Sequence, residues 1–212
     1  MLLSKYKINI FTKKILVDRK LSSASIKISN FLLMKKFSLL LFPLLLFVTP
    51  SLGVQTKDGT VYFAQPPRLV KAVTTRSETY VWGATYYFTL NLLPDAGVPL
   101  KQVTISKTEG PDNIRYNSKK IIAFKGTHRN KGQQLTVEEV GIDKKTNTIS
   151  VFFNPAVPPG TTFTIGLRPV RTPRYGGVYL FGVTAFPVGE KPYGYFLGYG
   201  RLHFYDGSDN YD

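Results

Sequence analysis

Three arginines at intervals of three, Arg168, Arg171 and Arg174, are separated by Pro169 and Pro173 and followed by Tyr175. A guanidinium is always charged and offers a planar fork of donors that fits carboxylate or phosphate oxygens. Beside an aromatic ring in an extended, proline-rich segment, it suits the binding of an anionic surface rather than bond breaking. A solvated connection with incidental salt bridges is the competing reading. A second group lies near the C-terminus: Tyr175, Tyr179, Phe181, Phe186, Tyr193, Tyr195, Phe196 and Tyr199. Tyrosine joins an apolar face to a polar tip, which suits stacking on sugar rings, although core packing accounts for the greater share of these residues. Lys119, Lys120, Lys125, Arg129 and Lys131 form a further basic cluster, read as a solvated face.

Catalytic arrangements are thin. There is no cysteine and there are two histidines. His128, in the polar segment 126–132, reads as an exposed loop residue. His203, between Leu202 and Phe204, reads as an outward strand position. A zinc site would need both of them to converge with acids. Ser106, Ser118 and Ser150 lack the strand–turn–helix setting of a nucleophile elbow. Glu138 and Glu139 are adjacent, so on a strand they point to opposite faces, unlike the facing carboxylates of a glycosidase. Glu109 and Asp112, around Gly110-Pro111, offer oxygen ligands without the acid density of a calcium loop. The run from Gly194 to Gly200 lacks the order G-x-G-x-x-G and the following helix of a nucleotide loop, and reads as a bent strand or bulge. The expectation is a non-enzyme with no catalytic residue, metal or cofactor.

The elements that must position these residues are strands. In Ala84–Leu92, Ala84, Tyr86, Phe88, Leu90 and Leu92 make an apolar face, and Thr85, Tyr87, Thr89 and Asn91 a polar one. Period-two alternation of this kind marks a strand buried on one side. The pattern recurs at Val103 and Ile105; Leu135 and Val137; Ile149, Val151 and Phe153; Phe163, Ile165 and Leu167; and Leu202 and Phe204. Residues 178–186 are apolar on both faces, as in a central strand, with Gly182 marking a bulge or close backbone approach. Turn signals stand at Asp58-Gly59, 94–97, 143–147 and the Pro-Pro-Gly of 158–160. One short helix is predicted over 113–120. The fold predicted is all-β: a single antiparallel β-sandwich, immunoglobulin-like or jelly-roll-like, of about eight or nine strands.

The N-terminal quarter reads as targeting sequence. Met34-Lys35-Lys36, an apolar run over 37–48 and the small residues Ser51 and Gly53 spell a secretory signal peptide over 34–53. The apolar run is short of the roughly 20 residues that span a bilayer, so a membrane anchor over 37–53 is the lesser alternative. Residues 1–33 are a basic leader, read as a misassigned upstream start or an extended n-region. Nine of the 28 Lys and Arg and one of the 13 acids precede residue 54, leaving 19 basic against 12 acidic side chains, a net of +7 rather than +15. That moderate charge favours anionic surfaces and does not call for nucleic acid. The predicted domain is 54–205, with 206–212 a flexible tail.

Longer motifs carry a resemblance. They are 58–69, DGTVYFAQPPRL; 82–88, WGATYYF; 124–127, FKGT; 157–161, VPPGT; and 165–171, IGLRPVR. To these are added 177–187, GVYLFGVTAFP, and 197–205, LGYGRLHFY. Together they resemble the cyanobacterial family of exported proteins called domain of unknown function 2808, over essentially all of residues 54–205. The resemblance implies an exported β-rich protein of a photosynthetic bacterium, with no catalytic residues to carry over. The function expected is non-catalytic binding of an anionic or sugar-rich component of the cell envelope, in the periplasm or outside the cell. Assembly with another envelope protein through an edge strand is the alternative, and an enzyme acting on envelope polysaccharide the least favoured.

Overall fold

Tyr86–Leu92 and Thr161–Leu167 alternate apolar residues with Thr, Asn, Tyr and Gly, and they pair antiparallel from Thr161↔Leu92 to Leu167↔Tyr86. A computed structural model describes residues 54–207 of the chain. The predicted leader, the predicted signal peptide and residues 208–212 of the predicted tail lie outside the described residues. In chain order the first strands are β1 (Val54–Gln55), β2 (Thr60–Tyr62), β3 (Arg68–Thr74), β4 (Tyr86–Leu92), β5 (Leu100–Glu109) and β6 (Ile122–Gly126). There follow β7 (Lys131–Gln134), β8 (Val137–Asp143), β9 (Thr148–Val157), β10 (Thr161–Leu167), β11 (Gly177–Pro187), β12 (Lys191–Pro192) and β13 (Tyr195–Phe204).

Two five-stranded antiparallel sheets result, β3-β4-β10-β6-β7 and β13-β11-β5-β9-β8, with a small third sheet β1-β2-β12. Their inner faces make one core, and rings meet across it: Phe88 and Phe181 at 5.6 Å, Tyr86 and Phe204 at 5.5 Å, Phe153 and Phe163 at 5.7 Å. Each contact joins one sheet to the other, so the alternating faces read from sequence are the faces that build the sandwich. Val103, Ile105, Ile149, Val151, Ile165, Leu167 and Leu202 complete it. Among the described residues no helix is long and apolar enough to cross a membrane.

The differences from expectation have physical reasons. More strands form than the eight or nine expected, because β1, β2, β7 and β12 are too short or too polar to show alternation. The predicted helix over 113–120 is reduced to a single 3-10 turn, Ser118–Lys120, capped by Asn117, whose Oδ1 accepts from the Lys119 N–H at 3.1 Å. The backbone before it bonds outward instead: Val170 N–H donates to Arg115 C=O and Asn117 N–H to Arg168 C=O. The polar face of β4 is largely covered rather than solvated: Tyr87 and Thr89 are buried, as is Thr85 just before the strand, and Asn91 is half-buried. Thr89 and Thr164 hydroxyls bond to each other at 2.9 Å, and the turn between β6 and β7 folds over Tyr87. His128 is therefore not an exposed loop residue: it is half-buried, its ring stacked on Tyr87 at 6.0 Å. His203 does point outward, exposed, beside Tyr205.

β11 is central, between β13 and β5, with Tyr179, Phe181, Val183 and Ala185 buried. Gly182 is a close approach, since a Cβ there would lie 3.2 Å from the Phe196 ring. The register shift comes one pairing on, where Val183 faces Gly198 and Thr184 faces Phe196, so Leu197 is the extra residue. Glu138 is likewise the extra residue of β8 and pairs with Lys101 at 2.6 Å. Asp58, in the turn before β2, takes hydrogen bonds from Thr56 and Thr60 and an ion pair from Lys191, which hold its carboxyl well below the usual range.

Candidate functional site

The arginine segment forms a ribbon stitched between two loops at one end of the sandwich. On one side, Asn117 donates to Arg168 C=O and Val170 to Arg115 C=O. On the other, Thr172 N–H donates to Val81 C=O, Tyr80 N–H to Pro173 C=O, and Val81 N–H to the Thr172 hydroxyl at 2.8 Å. Asp112 closes the corner by accepting the Arg174 N–H at 2.8 Å. Pro169, Thr172 and Pro173 are buried in this ribbon, whereas Arg168 and Arg174 are exposed and Arg171 is half-buried. Proline has no N–H to satisfy, so it can fill the inward positions without leaving an orphan donor.

Arg171 packs its guanidinium 4.0 Å from the Trp82 ring centre and 4.4 Å from that of Tyr80, and Arg174 sits 5.9 Å from Tyr80. Trp82, the chain's single tryptophan, is 60% exposed and Tyr80 51%. Tyr80 holds φ +55°, a left-handed conformation that side chains seldom adopt. Such strain persists only where the surroundings impose it, and here its result is a ring laid against two arginines.

Trp82, with Val170, forms the shared wall of two depressions. One, of about 340 Å³, is lined by Tyr80, Trp82, Asp112, Arg115, Arg171 and Arg174. The other, of about 320 Å³, is lined by Trp82, Asn117, Lys120, Arg168 and Pro169, without Arg171. A third groove of about 550 Å³ adjoins the first through Asn113, Arg115 and Val170. Among the described residues the ion pairs are Lys101–Glu138 and Lys191–Asp58, so none of the five cations around Trp82 has a carboxylate partner. Planar cations beside an exposed indole can hold an anionic group against a flat apolar ring face.

The structure brings Arg168, Arg171 and Arg174 to one end, on both sides of Trp82. Tyr175 is exposed but lines neither depression, and its carbonyl accepts the Tyr179 hydroxyl at 3.0 Å. Sequence reasoning missed Tyr80, Trp82, Arg115 and Asp112 at this site. A lone tryptophan in a polar stretch before a strand was the available signal. Among the described residues no three His, Cys, Asp or Glu converge as a metal site. The Tyr86 and Tyr116 hydroxyls are buried without a partner in the protein, and burial pushes both phenols well above the usual range.

Residues 60–204 match the family described as protein of unknown function (DUF2808). The chain belongs to the DUF2808 family. No curated protein matches it. Among solved structures, the collagen-binding domain of a Staphylococcus aureus adhesin is similar at 13% identity and TM-score 0.35, over 63% of this chain and 94% of that one. The collagen-binding subdomain of the Enterococcus faecalis surface protein ACE is similar at 8% identity and TM-score 0.37, over 63% and 93%. The C-terminal domain of the Streptococcus pyogenes antigen I/II-family protein AspA gives 13% identity and TM-score 0.38, over 63% and 46%. At TM-scores under 0.5 these likenesses say nothing of what this DUF2808 chain binds.

Proposed function

We propose that the protein is exported and acts without catalysis, binding an acidic, sugar-rich component of the cell surface at the Trp82 end of the sandwich. The observation that carries this reading is the set of unpaired cations, Arg115, Lys120, Arg168, Arg171 and Arg174, around an exposed indole. An acidic sugar presents a ring face to Trp82 and a carboxylate or sulfate to a guanidinium, and the paired depressions offer both contacts. The export half of the reading rests on the signal-peptide pattern of residues 34–53.

The edge-strand alternative has an observation against it. Each outer strand of the two large sheets carries one residue too many for its neighbour: Val70 in β3, one in β7 between Lys131 and Gln134, Glu138 in β8 and Leu197 in β13. Bulged, charged edges block pairing with another chain.

Trp82 supplies the test. Titration of the purified protein with polygalacturonate, a uronic-acid polymer, is expected to change its fluorescence in a saturable, salt-sensitive way, with dextran as the neutral control. Arg168→Ala, Arg171→Ala and Arg174→Ala together should abolish the response. No response to polygalacturonate in the unaltered protein, or one equal to that of dextran, would overturn the reading.

A further inference from the structure

The two sheets differ in charge. The strands of the first sheet, β3, β4, β10, β6 and β7, contain Arg68, Lys71, Lys125 and Lys131 and not one acidic residue. The second sheet, by contrast, holds Glu109, Glu138, Glu139 and Asp143 beside its cations. On the outer face of the first sheet a second basic group surrounds Tyr87. Lys131 Nζ lies 5.3 Å from the Tyr87 ring centre and 5.5 Å from that of Phe124, and donates to the Tyr87 hydroxyl at 3.3 Å. His128 stacks on the same ring. Lys71 of β3, with Arg129 and Lys131 of the β6–β7 hairpin, is close enough to His128 to bear on its charge. None of these cations has a carboxylate partner among the described residues.

This group and the Trp82 end adjoin through neighbouring strands. Tyr87 pairs with Gly166, and the missing Cβ there leaves room for the Tyr87 ring, which would otherwise stand 2.9 Å from it. Arg168 follows two residues later with the same parity, about 7 Å along the strand direction at roughly 3.3 Å per residue. Lys120 and the exposed Ile122 flank the same path at the start of β6, Ile122 pairing with Gly166. The charges therefore run from Arg174 and Arg171 past Trp82 to Arg168 and Lys120, and over the sheet to Lys131, Arg129 and Lys71.

We propose that this row of unpaired cations is one track across the outer face of the first sheet, and that its ligand is a linear acidic polysaccharide chain rather than a single acidic sugar. The inference rests on the Trp82 end being a saccharide site, and it assigns the second group as the continuation of that site. A polymer that occupies both groups gains from each, while a disaccharide held at the Trp82 end stops short of Lys71. Lys71 pairs through Thr89 with Thr164, two strands over and about 13 Å along the strand direction from Arg168.

Digalacturonate and polygalacturonate separate the two groups. The second-group variant carries Lys71→Gln, Arg129→Gln and Lys131→Gln. It should bind the polymer about tenfold more weakly, three exposed charge contacts at ordinary strength. Its affinity for digalacturonate should be unchanged, as read by Trp82 fluorescence. Polymer, but not the disaccharide, should raise the His128 pKa followed by NMR in the unaltered protein. Equal polymer affinity in the variant, with His128 unmoved, would overturn the track and leave the Trp82 site standing. Failure of both ligands to move Trp82 fluorescence would overturn the end site and the track with it. Displacement of the polymer by single-stranded DNA at equal charge concentration would overturn the assignment to polysaccharide. Unchanged amide chemical-shift dispersion in the NMR spectrum of the unliganded variant shows that the fold survives the substitutions.

Discussion

Tyr80 shows what the site asks of a single residue. A left-handed backbone costs a side chain about 1–2 kcal/mol, yet Tyr80 holds φ +55° with its N–H bound to Pro173 and half its surface exposed. Burial does not explain that choice; contact with Arg171 and Arg174 does. Stacking holds the Arg171 guanidinium in place before a ligand arrives, so less side-chain freedom is lost on binding. Tyr80→Gly should therefore leave the melting temperature unchanged or slightly raised while polygalacturonate affinity falls several-fold. A lowered melting temperature would make the ring a packing residue instead. The arginines were legible in sequence because charge and the spacing of three stand out among prolines. Tyr80 and Trp82 were not, because nothing local says that a loop 90 residues earlier will be stitched beside them, as the Val81–Thr172 bonds do. His128 failed for the same reason: its ring is paired with a strand some 40 residues away.

Among elements, the strands with strict alternation were legible and the ones without it were not. Phe163, Ile165 and Leu167, or Ile149, Val151 and Phe153, name their inner face without help. The polar β7 and the two-residue β12 carry no such signal and exist only because a neighbour supplies hydrogen bonds. Alternation also hid the covering of β4, since Thr and Tyr read as outward whether water or a hairpin lies above them. Close approach of strands is likewise invisible locally. Gly200 of β13 has a missing Cβ that would stand 2.7 Å from Phe88 Cε1 and 2.8 Å from Ala72 Cβ, where the two sheets converge at one edge. Gly200→Ala is expected to destabilise the fold by about 1–3 kcal/mol through overpacking, measured by chemical denaturation. Adding Ala72→Gly should recover part of that loss, since it removes one of the two clashing carbons. A neutral Gly200→Ala would mean that the edge is looser than its contacts imply.

At the scale of the whole molecule, alternation told which side of each strand is buried but not which strands are neighbours. β10 lies between β4 and β6, and the acid-free sheet emerges only from that non-local order. Its consequence is electrostatic and bears on pH. Desolvation, then Arg129, Lys71 and Lys131, push the His128 pKa below its ordinary 6.5, with Tyr87 beneath the ring and no acid among the causes. In the free protein the unfolded chain takes this proton more readily than the folded one. The contribution is absent above the unfolded value and becomes a loss of stability as pH falls from about 6.5 through the lowered folded value. A polyanion laid on the track reverses the local field, so its carboxylates raise the His128 pKa and binding takes up a proton. Affinity for polygalacturonate should then increase as pH falls from 7 towards 5.5, while the uronate remains charged. Calorimetry in two buffers of different ionisation enthalpy would read the proton uptake directly. His128→Gln should remove that uptake and flatten the pH dependence, yet leave the salt dependence set by the lysines and arginines. An unchanged pH dependence in His128→Gln would place the proton elsewhere and separate this histidine from the ligand's path.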